Sequence, residues 1–467
     1  MLMEEYMGKT NVIFFFTDQQ RWDTCGCYGQ PLPVTPNLDK MAQEGVIFTN
    51  TFTCQPVCGP ARACLQTGKY ATETGCFRND IGLPLQEKTI AHYFSEQGYR
   101  VGYIGKWHLA SNFSESANDK QEGVVSYDFR TKPVPITHRG GWKDEWIASD
   151  VLEFTSHSYD GHMFDQDNHQ KDFPPGRYRA DAQTDWALDL LDRWGQEKQP
   201  FFLFLSYIEP HHQNDHHCFE GPHGSKEKFK NFAPPGDLAG QEGDWRENYP
   251  DYLGCIHDLD DNLGRIREKV HQLGIGDKTV IVFTSDHGSH FRTRNRGLEG
   301  HHYDDYKRSC HDGCIRIPLV IQGPGFEGGK AIEDLVSLMD LPPTMLACGG
   351  MGKPQSMHGR PVQDLISGTA VNWPEEVFLQ ISESWVARAI RSKDWKYCAY
   401  APEKNAWTES WSDVYVDQYL YDLQNDPHEQ NNLIGNADYQ NVRDGLVEIL
   451  KRRMLEAGER VPRFVKA

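Results

Sequence analysis

Two groups of residues in this chain have the types and spacing to do chemistry. The first is Cys58-Gly-Pro-Ala-Arg62, a thiol four residues before a guanidinium with a proline between, continuing as Ala-Cys-Leu-Gln-Thr-Gly-Lys. A free cysteine is most often a buried small hydrophobe, and three identities in five positions arise by chance in roughly a few per cent of chains this long. The second group is Asp18, Lys106, His211 and Asp286, each placed just after an apolar run: NVIFFFT, YRVGYIG, PFFLFLSYIEP and TVIVFTS. A single Asp after a strand more often caps a helix than holds a cation. Two of them after separate strands, the second followed by His287, read better as metal ligands.

For these residues to act together, the chain must bring their strands side by side. Runs of β-branched and aromatic residues alternate with PNLDKMAQEG, TIAHYFSEQG and DAQTDWALDLLDRWGQ, whose apolar residues recur at spacings of three and four. Strand, helix, strand predicts an α/β fold with a large, mostly parallel sheet sandwiched by helices, and ligands gather beyond the carboxyl ends of such strands. From about Ile381 the texture changes to short alternating runs and a closing helix, DGLVEILKRRMLEAGE, which predicts a smaller antiparallel sheet plus helix. The expected division is a catalytic domain over 1–370 and an α+β subdomain over 371–467. Residues 112 to 180 and 213 to 230, rich in His, Asp and Gly, read as long loops forming a rim. The irregular spacing of His157, His162, His169, His216, His217 and His223 fits a substrate-recognising rim better than a metal cluster. Trp142, Trp146 and Tyr159 either stack on a ring of the substrate or anchor loops.

At 467 residues the chain is long enough for two domains, and no window of 18 apolar residues is present to span a membrane. The apolar run near the start, VIFFF, is too short for a signal-peptide core, so the expected location is the cytoplasm unless a leader was trimmed. Twelve cysteines in a chain of this size read as reduced thiols rather than a disulfide framework. A formal charge of −19 argues against nucleic acid as a partner, and an anionic substrate would need a locally positive pocket.

The chain resembles the sulfatase family, within the alkaline phosphatase superfamily. The likeness rests on the Cys58 motif with its Leu-Gln-Thr-Gly extension, on Asp18, on Gly105-Lys106-Trp107-His108, on Ser285-Asp286-His287-Gly288, on the stretch from Val336 to Thr344, and on Leu420-Tyr421-Asp422-Leu423-Gln424-Asn425-Asp426-Pro427. It implies that a formylglycine-generating maturation enzyme oxidises Cys58. A geminal diol then offers one oxygen to attack sulfur and a second to expel sulfate, which splits one hard hydrolysis into two steps. It also implies that Arg62 holds the formylglycine oxygen, and that Asp18, Asp286 and His287, with position 58, hold one divalent metal. Gln19 either adds its amide oxygen or orients a neighbour. Many sulfatases carry a second Asp after the first strand and Asp-Asn after the later one, where this chain has Asp18-Gln19 and Asp286-His287. All-oxygen sites suit calcium, and an imidazole also admits manganese or zinc, so calcium leads. Lys106, His108, His211 and Lys307 are assigned to sulfate and the leaving alcohol, with His108 as base and with His212 competing for the place of His211. The expected substrate is a sulfated sugar, ahead of aryl or steroid sulfates. The alternatives are a phosphonate monoester or phosphodiester hydrolase of the same superfamily and an inactive protein that binds sulfated glycans.

Overall fold

The structure, a computed structural model, describes residues 9–112, 127–294 and 306–466. In chain order the strands of the large sheet are β1 (Asn11–Thr17), β2 (Val46–Phe52), β3 (Arg100–Lys106), β4 (Glu145–Ser149), β5 (Ser156–His157), β6 (Asp160–Phe164), β7 (Gln170–Asp172), β8 (Phe201–Ser206), β9 (Thr279–Ser285), β10 (Arg316–Ile317), β11 (Leu319–Gln322) and β12 (Lys330–Ser337). They run across the sheet as β10-β2-β11-β9-β1-β8-β3-β4-β6-β5, with β12 beside β2 and β7 beside β6. The middle, β9-β1-β8-β3-β4, is parallel throughout.

Residues of β1 divide by parity, as a period of two requires. Val12, Phe14 and Phe16 enter a core cluster on one face of the sheet, and Ile13 and Phe15 enter another on the opposite face. Helices Cys58–Thr67, Ile90–Glu96 and Leu341–Cys348 supply the first cluster, and Pro36–Glu44, Arg179–Trp194 and Trp245–Gln272 supply the second. Burial on both faces is why β1, β8 and β9 read as unbroken apolar runs rather than alternating ones. Aromatic contacts lock neighbouring strands together, with Phe204 stacked on Phe14 at 4.8 Å and on Tyr103 at 5.1 Å between ring centres.

One expectation fails here. Residues 112–180 are not simply long loops: β4 extends the parallel sheet beside β3, and β5, β6 and β7 form a small antiparallel extension of its edge. These strands have five, two, five and three residues, too few to show a period, and they are held by pairing and by the fully buried Trp142 and Trp146. Both tryptophans therefore anchor rather than stack on a ligand. Residues 113–126 of that stretch lie outside the described residues. The loop at 213–230 contains only an isolated bridge and the four-residue helix Ser225–Lys228.

The second sheet orders as β13 (Glu376–Ile381), β14 (Val386–Ser392), β15 (Trp395–Ala401), β16 (Val414–Asp422) and β17 (Arg463–Val465), antiparallel except for the β16–β17 pair. Its helix, Gln440–Glu456, sends Leu446, Val447 and Leu450 into the same core as Phe378 and Tyr397. A buried ionic network ties this sheet to the segment after β9. Asp312 pairs with Arg391 of β14 at 3.0 Å and with Lys396 of β15 at 2.5 Å, Lys396 also pairs with Glu429, and Glu429 accepts from the Asp312 backbone at 2.7 Å. Lys396→Met leaves two buried carboxylates short of their shared cation and is expected to lower stability by about 3–5 kcal/mol in a reversible urea titration. A loss below about 1 kcal/mol would show that the network contributes no more than a surface pair does.

Candidate active site

The register of two strands builds the centre of the site. β1 and β9 pair in parallel with Thr17 opposite Ser285, so Asp18 and Asp286, the next residue on each, emerge side by side. Both are fully buried. The turn after Asp18 is held by hydrogen bonds from Gln19 N to Asp286 Oδ1 at 3.0 Å, Gln20 N to Ser285 Oγ at 2.9 Å and Tyr252 Oη to the Gln19 carbonyl at 2.6 Å. Gln19 takes a left-handed φ of 70° within it.

Cys58 opens the helix Cys58–Thr67 and points its sulfur at this pair. Sγ lies 3.3 Å from Asp18 Oδ1, 3.2 Å from His287 Nε2 and 2.9 Å from Lys307 Nζ. His287 Nδ1 donates to the Gly288 carbonyl at 2.9 Å, which turns Nε2 toward Cys58. One atom from each of Asp18, Cys58, Asp286 and His287 can be chosen so that all lie within 4.8 Å of one another, and every one of these residues is buried. The amide oxygen of Gln19 is buried nearby in sequence with no hydrogen-bond partner, while its amide nitrogen donates to Ser289 Oγ at 3.4 Å. Two buried carboxylates, an imidazole nitrogen and a sulfur make a donor set that fits one divalent cation.

Cations close the site from the other side. Arg62, one helical turn after Cys58, reaches Asp18 Oδ2 at 3.0 Å and Asp286 Oδ2 at 3.5 Å, and it donates to Ser206 Oγ and the Lys106 carbonyl. Its guanidinium is therefore taken up by the two carboxylates, the Ser206 hydroxyl and the Lys106 carbonyl. Lys106 Nζ, at the end of β3, sits 2.9 Å from Asp18 Oδ2. Lys307 Nζ bridges Cys58 Sγ and His211 Nε2, 2.9 Å from each. His108, a residue with φ of 58°, lies close enough to Cys58 to help hold its thiol down. His212 instead faces the ring of Tyr306, 4.4 Å away, so His211 is the one that meets Lys307.

The charges balance one another. Burial alone would push the Cys58 thiol up, but Lys106, Lys307 and His287 outweigh it and hold the thiol well below its usual range. Burial and the neighbouring sulfur oppose ionisation of Asp18, and Lys106, His211 and Arg62 overcome both. Asp286 is raised by burial and by Asp18 beside it.

Three supporting residues escape a reading of the sequence. Glu153, on the short turn Leu152–Phe154, brings Oε2 within 3.4 Å of His211 Nδ1 and 3.9 Å of Lys106 Nζ, and Asn214 donates to Oε1 at 2.7 Å. Asp150 accepts from the backbone of Leu109, Ala110 and Ser111 and so fixes the turn that carries His108. Ser206 seats Arg62. None lies in a recognisable motif.

Two family models match the chain over overlapping stretches. The Sulfatase family model matches residues 10–351, and the model described as N-sulphoglucosamine sulphohydrolase, C-terminal, matches residues 299–456. The chain is 28% identical to an ulvan-active sulfatase of Formosa agariphila over 97% of its own length and 82% of the relative. It is 26% identical to an N-acetylglucosamine-6-O-sulfatase of Bacteroides thetaiotaomicron, covering 96% of this chain and 87% of the other. A solved structure in complex with its substrate D-glucosamine-2-N,6-O-disulfate shares the fold, with a TM-score of 0.73 at 22% identity over 96% of this chain and 98% of that one.

In protein kept metal-free with an unoxidised Cys58, the ultraviolet difference from Cys58→Ser should show a thiolate at neutral pH. Because the folded pKa is depressed, the signal should vanish only as pH falls through that lowered value, and Lys307→Met should move the loss to higher pH. A midpoint near the ordinary thiol value of about 8.5 would refute this balance of charges.

Proposed function

The chain belongs to the sulfatase family of sulfuric ester hydrolases, and we propose that it removes sulfate from a sulfated sugar through position 58 acting as formylglycine. The observation that carries this reading is the convergence of Cys58 Sγ with Asp18, His287 and Lys307, all within 3.3 Å, at the C-terminal edge of a parallel sheet. A sugar as the alcohol is supported by the relatives, whose names specify ulvan and N-acetylglucosamine 6-O-sulfate chemistry.

Oxidised and hydrated, position 58 supplies two oxygens on one carbon, one to attack sulfur and the other to re-form the carbonyl as sulfate leaves. A divalent cation, calcium ahead of manganese or zinc, would be held by Asp18, Asp286, His287 and position 58, with Gln19 Oε1 as a further oxygen, and would supply Lewis acidity and a counter-charge for sulfate. The side chains account for the rest. Lys106 and Lys307 face the anion from two sides. Lys307 also donates to His211 Nε2, and His211 Nδ1 donates to the His212 carbonyl at 2.6 Å. The pair His211 and Lys307 is thereby placed to deliver a proton to the departing alcohol oxygen. His108, beside position 58, accepts the proton released when the carbonyl re-forms. Arg62 holds the carboxylates of Asp18 and Asp286 in place and favours the ionised form of Asp18.

Glu153 positions this proton donor from behind, so its removal should hurt most where the leaving alcohol needs protonation. Glu153→Gln is expected to slow turnover of alkyl sulfates by about tenfold or more and of activated aryl sulfates by much less, steepening the dependence of kcat on leaving-group pKa, with Glu153→Asp restoring part of it. Equal losses on both classes would make Glu153 a purely structural residue.

Co-expression with a formylglycine-generating system, followed by peptide mass and a panel of sulfated sugars, tests the whole reading. The peptide containing position 58 should show thiol-to-aldehyde conversion, Cys58→Ala should lower kcat/KM by on the order of 10³-fold or more, and a chelator should abolish turnover until metal is restored. Faster hydrolysis of matched phosphonate monoesters or phosphodiesters than of sulfates would reassign the substrate, and an unmodified Cys58 with no turnover would make the protein a binder.

A further inference from the structure

A second cluster of metal-ligating side chains lies on the surface, in the two segments that border the proposed site. His157 comes from the β5–β6 hairpin, and Asp215 and His216 come from the loop after β8. His157 Nε2 is 2.9 Å from Asp215 Oδ2, and the rings of His157 and His216 stack 4.3 Å apart. One ligand atom from each of the three falls within 4.8 Å of the others. We propose that His157, Asp215 and His216 bind a borderline divalent transition metal, zinc above all, in a solvent-facing site independent of the buried one and of the reading of its chemistry.

Both imidazoles are braced at Nδ1 by a carboxylate of their own. His157 Nδ1 meets Asp160 Oδ1 at 3.2 Å, and His216 Nδ1 meets Glu220. Carboxylate–imidazole pairing of this kind fixes the ring and its tautomer and leaves Nε2 for a metal. Two imidazoles and one carboxylate select zinc over calcium, and three protein ligands leave a fourth position for water. In the metal-free protein a proton fills the role of the cation: the hydrogen bonds that His157 donates to Asp215 and Asp160 raise its affinity for it. Zinc binding must therefore expel that proton. The irregular spacing of histidines along the chain conceals the cluster because its ligands come from segments 58 residues apart and because one of them is an aspartate.

The site has a structural consequence. Gln213 and Asn214, just before Asp215, donate to the Glu153 carbonyl at 3.3 Å and to its carboxylate at 2.7 Å. A cation joining His157 to Asp215 and His216 would clamp the loop that holds Glu153 against His211.

The test is calorimetric titration with Zn²⁺ alone, together with the visible spectrum of added Co²⁺, in Asp18→Asn/Asp286→Asn protein with and without His157→Gln/His216→Gln. One zinc equivalent and a cobalt band typical of low coordination should appear in the first protein. In the second the affinity should fall by about tenfold or more and the band should disappear. The same pair of histidine substitutions in otherwise wild-type protein should reduce bound zinc by one equivalent, which covers the case in which the Asp18/Asp286 background does not fold. Unchanged zinc stoichiometry and affinity after the histidine substitutions in both backgrounds, or no zinc bound outside the buried site, overturns the proposal.

Discussion

The interaction on which the site depends is the in-register ending of β1 and β9, which forces the carboxylates of Asp18 and Asp286 to lie together out of contact with water. Two anions buried side by side are unstable unless cations face them. Arg62 and Lys106 do so from the helix at Cys58 and from the end of β3, and a divalent cation fits the remaining side. Cys58, His287 and Lys307 are then arranged around a charge pattern already set by the two strands. The same requirement explains why Arg62 is wholly buried, in contact with both carboxylates, the Ser206 hydroxyl and the Lys106 carbonyl.

The second sheet contributes geometry rather than ligands. Glu383, in the turn between β13 and β14, accepts from the Asn79 backbone at 2.7 Å and pairs with Arg308 at 2.5 Å. Asn79 in turn accepts from the Gly59 backbone at 2.9 Å, immediately beside Cys58, and Arg308 is the neighbour of Lys307. One carboxylate of the smaller sheet therefore holds both the start of the Cys58 helix and the lysine opposite it. The Asp312–Lys396–Glu429 network anchors the other end of the Lys307 segment. A chain cut before Glu376 would keep every proposed metal ligand and lose the means of positioning Cys58 against Lys307.

Residues at strand ends were legible because the central strands are buried on both faces and so read as continuous apolar runs, each ending abruptly in Asp18, Lys106 or Asp286. The helix at Cys58 was legible through its motif. Strands of two to five residues at the sheet edge were not, since their stability comes from partners distant in sequence and not from their own pattern. Glu153 and Asp150 were invisible for a related reason: each is one acidic residue among 67, distinguished only by what folds against it. The choice between His211 and His212 needed the Lys307 contact, which spans 96 residues.

A protein with a formal charge of −19 can still select an anion, because the charges that matter are not on its surface. Arg62, Lys106 and Lys307 are almost wholly buried, where the effective dielectric is low and salt screens weakly, so their field is strong and short in range. The rim around them, with exposed Asp160 and Asp215 and half-buried Glu220, is acidic, and its charges are screened and partly cancelled by His157 and His216. Attraction of the sulfate group therefore belongs to the interior.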